Sequence, residues 1–206
     1  MVSDRKICQL TLSERGKKIL AVAQNLFLEH GFDHTSLEMI ISESGGSRRS
    51  IYDEFGNKQG LLMAVMKLKI NSQLDVLASI DYQKPMDKAL KDICSRFVQG
   101  FVSPTMLSLF RLVAQLVVKI PEIGELIYQE GPLRGVTPLA DYLQHLSEQG
   151  QLAIDEPHFA AQMLIEMCKG RLHIQAILLP NHRISQQEIE QHVDKAVNVF
   201  LKAYSR

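Results

Sequence analysis

The chain has 206 residues, with 23 Lys+Arg against 23 Asp+Glu and therefore a formal net charge of zero. That length suits one compact unit, or one unit plus a small module, and a hydrophobic fraction of 46% with 22% charged residues excludes general disorder. Neutrality excludes a protein that coats polyanions by bulk attraction, but leaves room for a local basic patch.

Helical periodicity runs through almost the whole chain. Apolar residues recur three and four apart at Ile19, Ala23, Leu26 and Phe27. They do so again at Leu61, Val65 and Leu68, at Ile93, Phe97 and Phe101, and at Ile189, Val193, Ala196 and Phe200. Sustained period-two alternation is absent, so the expected fold is all-α with about nine helices. Three short helices are expected within 11–55 and a fourth over about 58–80. A polar break at 81–85 reads as a joint between regions. The rest should cover 85–101, 104–119, 122–148 (interrupted near Gly131-Pro132), 156–179 and 185–204. Thr11-Leu-Ser-Glu14, Thr35-Ser-Leu-Glu38 and Ser185-Gln-Gln-Glu188 fit capping boxes. Ser103-Pro104 and Glu156-Pro157 place proline where a first-turn N–H has no partner. Glycines 31, 45, 131 and 150 follow helical segments and suit left-handed stops.

The cysteines, Cys8, Cys94 and Cys168, are odd in number and lack a CxxC pair, which argues against a disulfide framework or a zinc site. The N-terminus lacks the apolar core of a signal peptide. No window offers the roughly 18 apolar residues of a membrane span. The expected setting is a reducing cytoplasm. G-x-S-x-G, H-E-x-x-H and a phosphate-binding GxxxxGK[ST] loop are all missing, so neither an enzyme nor a bound metal or cofactor is expected.

Residues 35–55 carry the functional signal. Leu37, Ile40 and Ile41 form the inner face of one short helix, Gly45-Gly46 can turn the chain, and Ser47 can cap a second helix whose Ile51 and Phe55 face inward. Two short helices joined by such a turn can place the second in the DNA major groove. Arg48, Arg49 and Ser50 then fall in its first turn, within reach of base edges, where arginine can donate twice to guanine O6 and N7. A glycine turn between short helices is also common in all-α proteins without any DNA role.

The stretch from Ile19 to Leu62 resembles the N-terminal domain of the TetR/AcrR family of transcriptional regulators. The matching positions are Gly31-Phe32, Thr35-Ser36, Ile40, Gly45, Ser47, Tyr52-x-x-Phe55-x-x-Lys58 and Leu61. The resemblance implies a helix-turn-helix DNA-binding domain over 1–57 and an effector-binding and dimerisation domain over 58–206. It also implies phosphate contacts from Thr35, Ser36, Tyr52 and Lys58, and base reading or flanking by Ser47, Arg48, Arg49 and Ser50. Ile41 and Ser44 replace the family's usual alanines, and Gly46 its valine. Asp53 and Glu54 stand where basic or aromatic residues are frequent. They read as solvent-facing or paired with Arg49, because like charge beside phosphate costs affinity. The alternative is a carboxylate accepting from a cytosine amino group.

Residues 85–206 resemble the AefR-type C-terminal domain of the same family, most clearly over Phe110–Pro132 and Leu139–Leu152. That likeness implies a homodimer through about 156–179 and 185–204, an enclosed pocket for a small-molecule effector, and a double-stranded, pseudo-palindromic DNA operator as partner. Phe97, Phe101, Met106, Phe110, Met163 and Met167 are pocket candidates, because aromatic and methionine side chains suit irregular apolar cavities; each is also a plausible core residue. Ser108, Arg111, Gln115 and Lys119 form a polar stripe. If the stripe points inward, Arg111 and Gln115 would anchor a polar or anionic effector head; otherwise it faces solvent. His145 and His173 read as satisfied or exposed histidines. Cys94 or Cys168 would sense oxidants only if exposed with a lowered pKa.

The implied function is a homodimeric regulator, a repressor released from DNA by its effector. The competing reading is a helical ligand-binding protein of the same fold, or an activator. Residues 1–60 hold eight Lys+Arg and eight Asp+Glu, so the DNA-binding domain is not basic overall. Weak non-specific affinity and a modest salt slope are therefore expected.

Overall fold

The computed structural model describes residues 12–205; Thr11 of the first expected capping box, with Arg5, Lys6 and Cys8, lies outside the described residues. The described residues are helical, without strands: α1 (Glu14–His34), α2 (Leu37–Ser44), α3 (Arg48–Phe55), α4 (Lys58–Ala78), α5 (Met86–Phe101), α6 (Pro104–Leu116), α7 (Pro121–Tyr128), α8 (Thr137–Glu148), α9 (Pro157–Leu178) and α10 (Gln186–Tyr204). The expected 122–148 helix is divided into α7 and α8 by a π turn over Gln129–Leu133. Pro132 lies within that turn, where a missing N–H and a ring clash disfavour regular helix. Gly131 belongs to this turn and has no left-handed backbone, unlike Gly31, Gly45 and Gly150.

Two compact units divide between Val65 and Met66. The division falls inside α4, eight residues later than the sequence boundary, because the helix continues unbroken past Lys58. The polar break at 81–85 lies within the second unit rather than at a joint. There Asp81 accepts from the backbone N–H groups of Gln83 and Lys84, at 2.9 and 3.3 Å, and closes a turn.

In the first unit α2 and α3 pack on α1. Ile19, Ala23, Ile40 and Ile51 are fully buried, and Phe27 meets Phe32 with ring centroids 5.6 Å apart. Each large apolar side chain so buried contributes roughly 1.5–3 kcal/mol. Ser13 caps α1, its hydroxyl accepting from Gly16 N–H at 2.9 Å and donating to Glu54 Oε1 at 2.6 Å. This bond ties the start of α1 to α3. Gly45 ends α2 at φ 70°, a conformation that costs most other residues energy. The departures from the family pattern next to it support each other. Ser44 is buried and its Oγ accepts from Gly46 N–H at 3.3 Å. A Cβ on Gly46 would come within 3.2 Å of Ile19 Cδ1 and 3.3 Å of that hydroxyl, so a larger side chain there requires Ile19 and Ser44 to shift.

In the second unit α5, α8, α9 and α10 enclose one core, including Leu90, Ile93, Leu139, Leu143, Leu164 and Phe200. Both arms of the Ser185–Glu188 capping box are formed at the start of α10. At its other end Tyr204 O accepts from Ala153 N–H at 2.8 Å, pinning the chain end to the α8–α9 connection. Cys94 on α5 and Cys168 on α9 are both wholly buried. The hydrogen bond between them, with burial, pushes the Cys94 thiol well above the ordinary thiol range, opposite to what an oxidant sensor requires. Among the described residues no single helix is long and apolar enough to cross a membrane, and no group of three or more His, Cys, Asp or Glu is placed to hold a metal ion.

Candidate nucleic-acid interface and effector cavity

The α2–turn–α3 segment presents a polar outer face because its apolar residues are spent inward. Ile51 is fully buried and Phe55 nearly so. Ser47 caps α3 by accepting from Ser50 N–H at 3.1 Å, and the two hydroxyls lie 2.9 Å apart. The side chain of Arg49 is 90% exposed and its Nε lies 3.5 Å from Asp53 Oδ2, one turn on. The pairing read from the sequence for Asp53 is therefore present. Glu54 instead turns toward Ser13. Tyr52 is 53% exposed, large for an aromatic ring on a short packed helix.

Arg48 is not free. Its Nη2 donates to Glu38 Oε1 on α2. The Glu38 carboxyl is held below the ordinary carboxylate range by a backbone N–H at the start of α2 and then by the Arg48 charge. Glu38 stood in the sequence as the far arm of a capping box, and nothing in its spacing marked it as a partner ten residues on. The box itself is shifted: the N-cap of α2 is Ser36, which accepts from Met39 N–H at 3.2 Å.

Two expected phosphate contacts are placed differently from the expectation. Thr35 is buried, and its hydroxyl faces the carbonyls of Gly31 at 2.7 Å and Leu26 at 3.1 Å. It secures the end of α1 and presents no hydroxyl to a ligand. Lys58 Nζ donates to Phe32 O at 2.8 Å and Thr35 O at 2.9 Å, and lies 4.4 Å from the centroid of the Phe32 ring. The ammonium thus closes the α1–α2 joint. Ser36, Ser47, Arg48, Arg49, Ser50 and Tyr52 remain as the outward set.

The second unit holds a cavity of about 520 Å³, within the roughly 300–1,000 Å³ usual for small-molecule sites. Phe97, Phe101, Met106, Phe110 and Met163 line it. Met167 does not; it packs against the core. Arg111 and Gln115 do not line it either. Arg111 Nη2 donates to the carbonyls of Ala176 at 2.8 Å and Ile177 at 3.0 Å, placing its charge on the C-terminal end of α9. Gln115 is exposed.

The polar part of the wall comes from residues the sequence left aside. His173 meets the edges of Phe101 and Phe110, with centroids 4.6 and 5.3 Å away. Burial, then the nearby Lys169 charge, lowers its pKa and keeps the imidazole neutral. Lys169 pairs with Glu166 at 2.5 Å and lies 5.0 Å from the Phe101 centroid. Gln73 Oε1 is buried without a hydrogen-bond partner. His173 lies four residues from Lys169 and seven from Glu166 on α9, but the backbone at Gly170 between them is non-helical (φ 38°, ψ −135°), so helical periodicity alone would not have grouped them.

Comparison with known proteins agrees with this arrangement. Residues 19–65 match the model of the bacterial regulatory proteins of the tetR family, and 88–206 that of the AefR-like transcriptional repressor C-terminal domain. A solved TetR-family regulator from Mesorhizobium loti MAFF303099 is 26% identical, with TM-score 0.86 over 93% of this chain and 97% of that one. The flavonoid-responsive regulator FrrA is 25% identical, with TM-score 0.78 over 93% and 97%. The uncharacterized HTH-type transcriptional regulator YezE of Bacillus subtilis (strain 168) is 23% identical over 188 residues, 88% of this chain and 94% of that protein. With a C-terminal match spanning more than half its length and an N-terminal match over its helix-turn-helix, the chain belongs to the TetR family of transcriptional regulators.

Proposed function

We propose that this regulator acts as a homodimeric repressor in the cytoplasm, holding a pseudo-palindromic operator until a small molecule fills the cavity of its second unit. The observation that carries the reading is the outer face of α3: a serine-capped helix with two arginines in its first turn and an exposed tyrosine beyond them. The arginines suit guanine edges, while Tyr52 and the Ser36-capped start of α2 suit phosphates. One such helix reads one half-site, so affinity requires a second copy.

Pairing through the last two helices is supported by their exposed apolar residues. Phe159, Ile174 and Leu178 on α9 and Val199 on α10 are all more than half exposed. Apolar exposure concentrated in this way marks an association surface. The AefR-like match supports repression. FrrA, by its name, responds to flavonoids, which makes aromatic compounds the first to screen here. An effector releases DNA only to the extent that it binds the non-binding conformation better.

Selection of bound genomic fragments by the purified protein tests the reading: an enriched palindrome is expected, and its absence would overturn the DNA role. On the selected site, Arg48→Ala or Arg49→Ala should relax sequence preference by about 1–3 kcal/mol. Tyr52→Phe should weaken binding evenly across sequences.

A further inference from the structure

The cavity wall constrains the charge and shape of what it can hold. Most of it is apolar, but one region is aromatic and polar together: His173 edge-on to Phe101 and Phe110, with Lys169 beside Phe101. This geometry suits a flat ring, because edge-to-face contacts favour aromatic partners beyond simple burial. The formal charges on the wall cancel. Lys169 is mostly buried and already within 2.5 Å of Glu166, which lines the same cavity. Arg111, the cation that the sequence offered to an anionic head, is committed to backbone carbonyls outside the cavity. A carboxylate entering here would lose its hydration and find no unpaired cation to replace it.

Hydrogen-bonding capacity nevertheless remains. Neutral imidazole carries one donor and one acceptor, and no hydrogen bond joins His173 to the described residues. Gln73 Oε1 also lacks a partner, but it is wholly buried and not open to the cavity, so a ligand hydroxyl does not reach it.

We propose that the cavity takes an uncharged aromatic molecule with a phenolic hydroxyl, its ring held against Phe101 and Phe110 and its hydroxyl hydrogen-bonded to His173. This rests on the reading of the cavity as the effector site, and adds the charge class and the anchoring residue. His173 thereby discriminates phenols from plain hydrocarbons of the same shape, and the absence of an unpaired cation on the wall discriminates them from carboxylic acids.

The test uses 2-naphthol and 2-naphthoate, matched in ring size, against the full-length protein at neutral pH by equilibrium dialysis. The expected result is at least tenfold tighter binding of 2-naphthol. His173→Phe, which keeps an aromatic edge, should weaken 2-naphthol binding five- to tenfold and leave 2-naphthoate unchanged. Thermal unfolding of the variant confirms that it is folded. Equal or tighter binding of 2-naphthoate overturns the charge class, and unchanged 2-naphthol affinity in His173→Phe overturns the anchor. Binding of neither probe overturns this proposal, and operator selection, measured separately, still reports the DNA role. Phenol-selective binding that leaves the operator complex intact overturns only the effector reading.

Discussion

Replacing Lys58 by methionine separates two roles for one ammonium. Methionine keeps most of the apolar stem and removes the charge. The loss comprises two charge-assisted hydrogen bonds, to Phe32 O at 2.8 Å and Thr35 O at 2.9 Å, and a cation–π contact at 4.4 Å. Charge-assisted bonds contribute about 1.5–3 kcal/mol each, and the ring contact about 0.5–1 kcal/mol. Lys58 is only half-buried, so water recovers part of this for the freed carbonyls. A net loss of about 2 kcal/mol remains, close to the value of one such bond. At tenfold per 1.4 kcal/mol, the backbone amides around residues 32–40 should exchange with deuterium roughly 30-fold faster. Hydrogen-exchange mass spectrometry of the full-length protein reads this directly. The second unit, whose core includes none of these residues, serves as the internal control. Unchanged exchange around 32–40 together with lost operator affinity would refute the clamp and restore Lys58 as a phosphate contact.

Three further outcomes follow from particular contacts. Glu38→Gln frees Arg48 and removes a negative charge beside the outer face of α3; affinity for random duplex should rise severalfold with a steeper salt dependence, read by fluorescence anisotropy across a salt series. Arg111→Ala strips the last carbonyls of α9 of their donor and should destabilise the second unit by about 1–3 kcal/mol in urea unfolding, with 2-naphthol affinity unchanged. The lowered pKa of His173 carries a definite sign: below the ordinary imidazole value of 6.5 the unfolded chain gains a proton before the folded one. Its contribution is therefore complete above that pH and is lost as pH falls through the folded pKa. Thermal stability should drop less on acidification in His173→Phe than in the wild type.

The elements were legible because helices announce themselves locally. Capping serines, first-turn prolines and a 3.6-residue apolar period all act within a few residues of the feature they specify. The outward residues of α3 followed for the same reason, since Ile51 and Phe55 fix the inner face. The failures share a different cause, because each depends on a partner distant in sequence or on a choice between equivalent neighbours. Thr35 and Ser36 offer adjacent hydroxyls, and only the packing of the α1 end decides which is buried and which caps. Arg111 reaches carbonyls 65 and 66 residues away. The Glu38–Arg48 pair forms across a turn whose geometry no pattern specifies. Met163 and Met167 share a helical face by spacing, yet only the first reaches the cavity.

The buried pair Cys94 and Cys168 makes the second unit its own reporter. Cys8 lies outside the described residues, and a Cys8→Ser variant leaves these two as the chain's only thiols. A thiol reagent can reach these two sulfurs only after α5 and α9 part, so the rate at which they are modified counts excursions of that core. A molecule that fills the cavity favours the closed form and slows the modification in proportion to its occupancy. An unlabelled protein, with no chromophore and no DNA present, can thus be screened for molecules that fill the cavity through the chemistry of two sulfur atoms that never need to touch them.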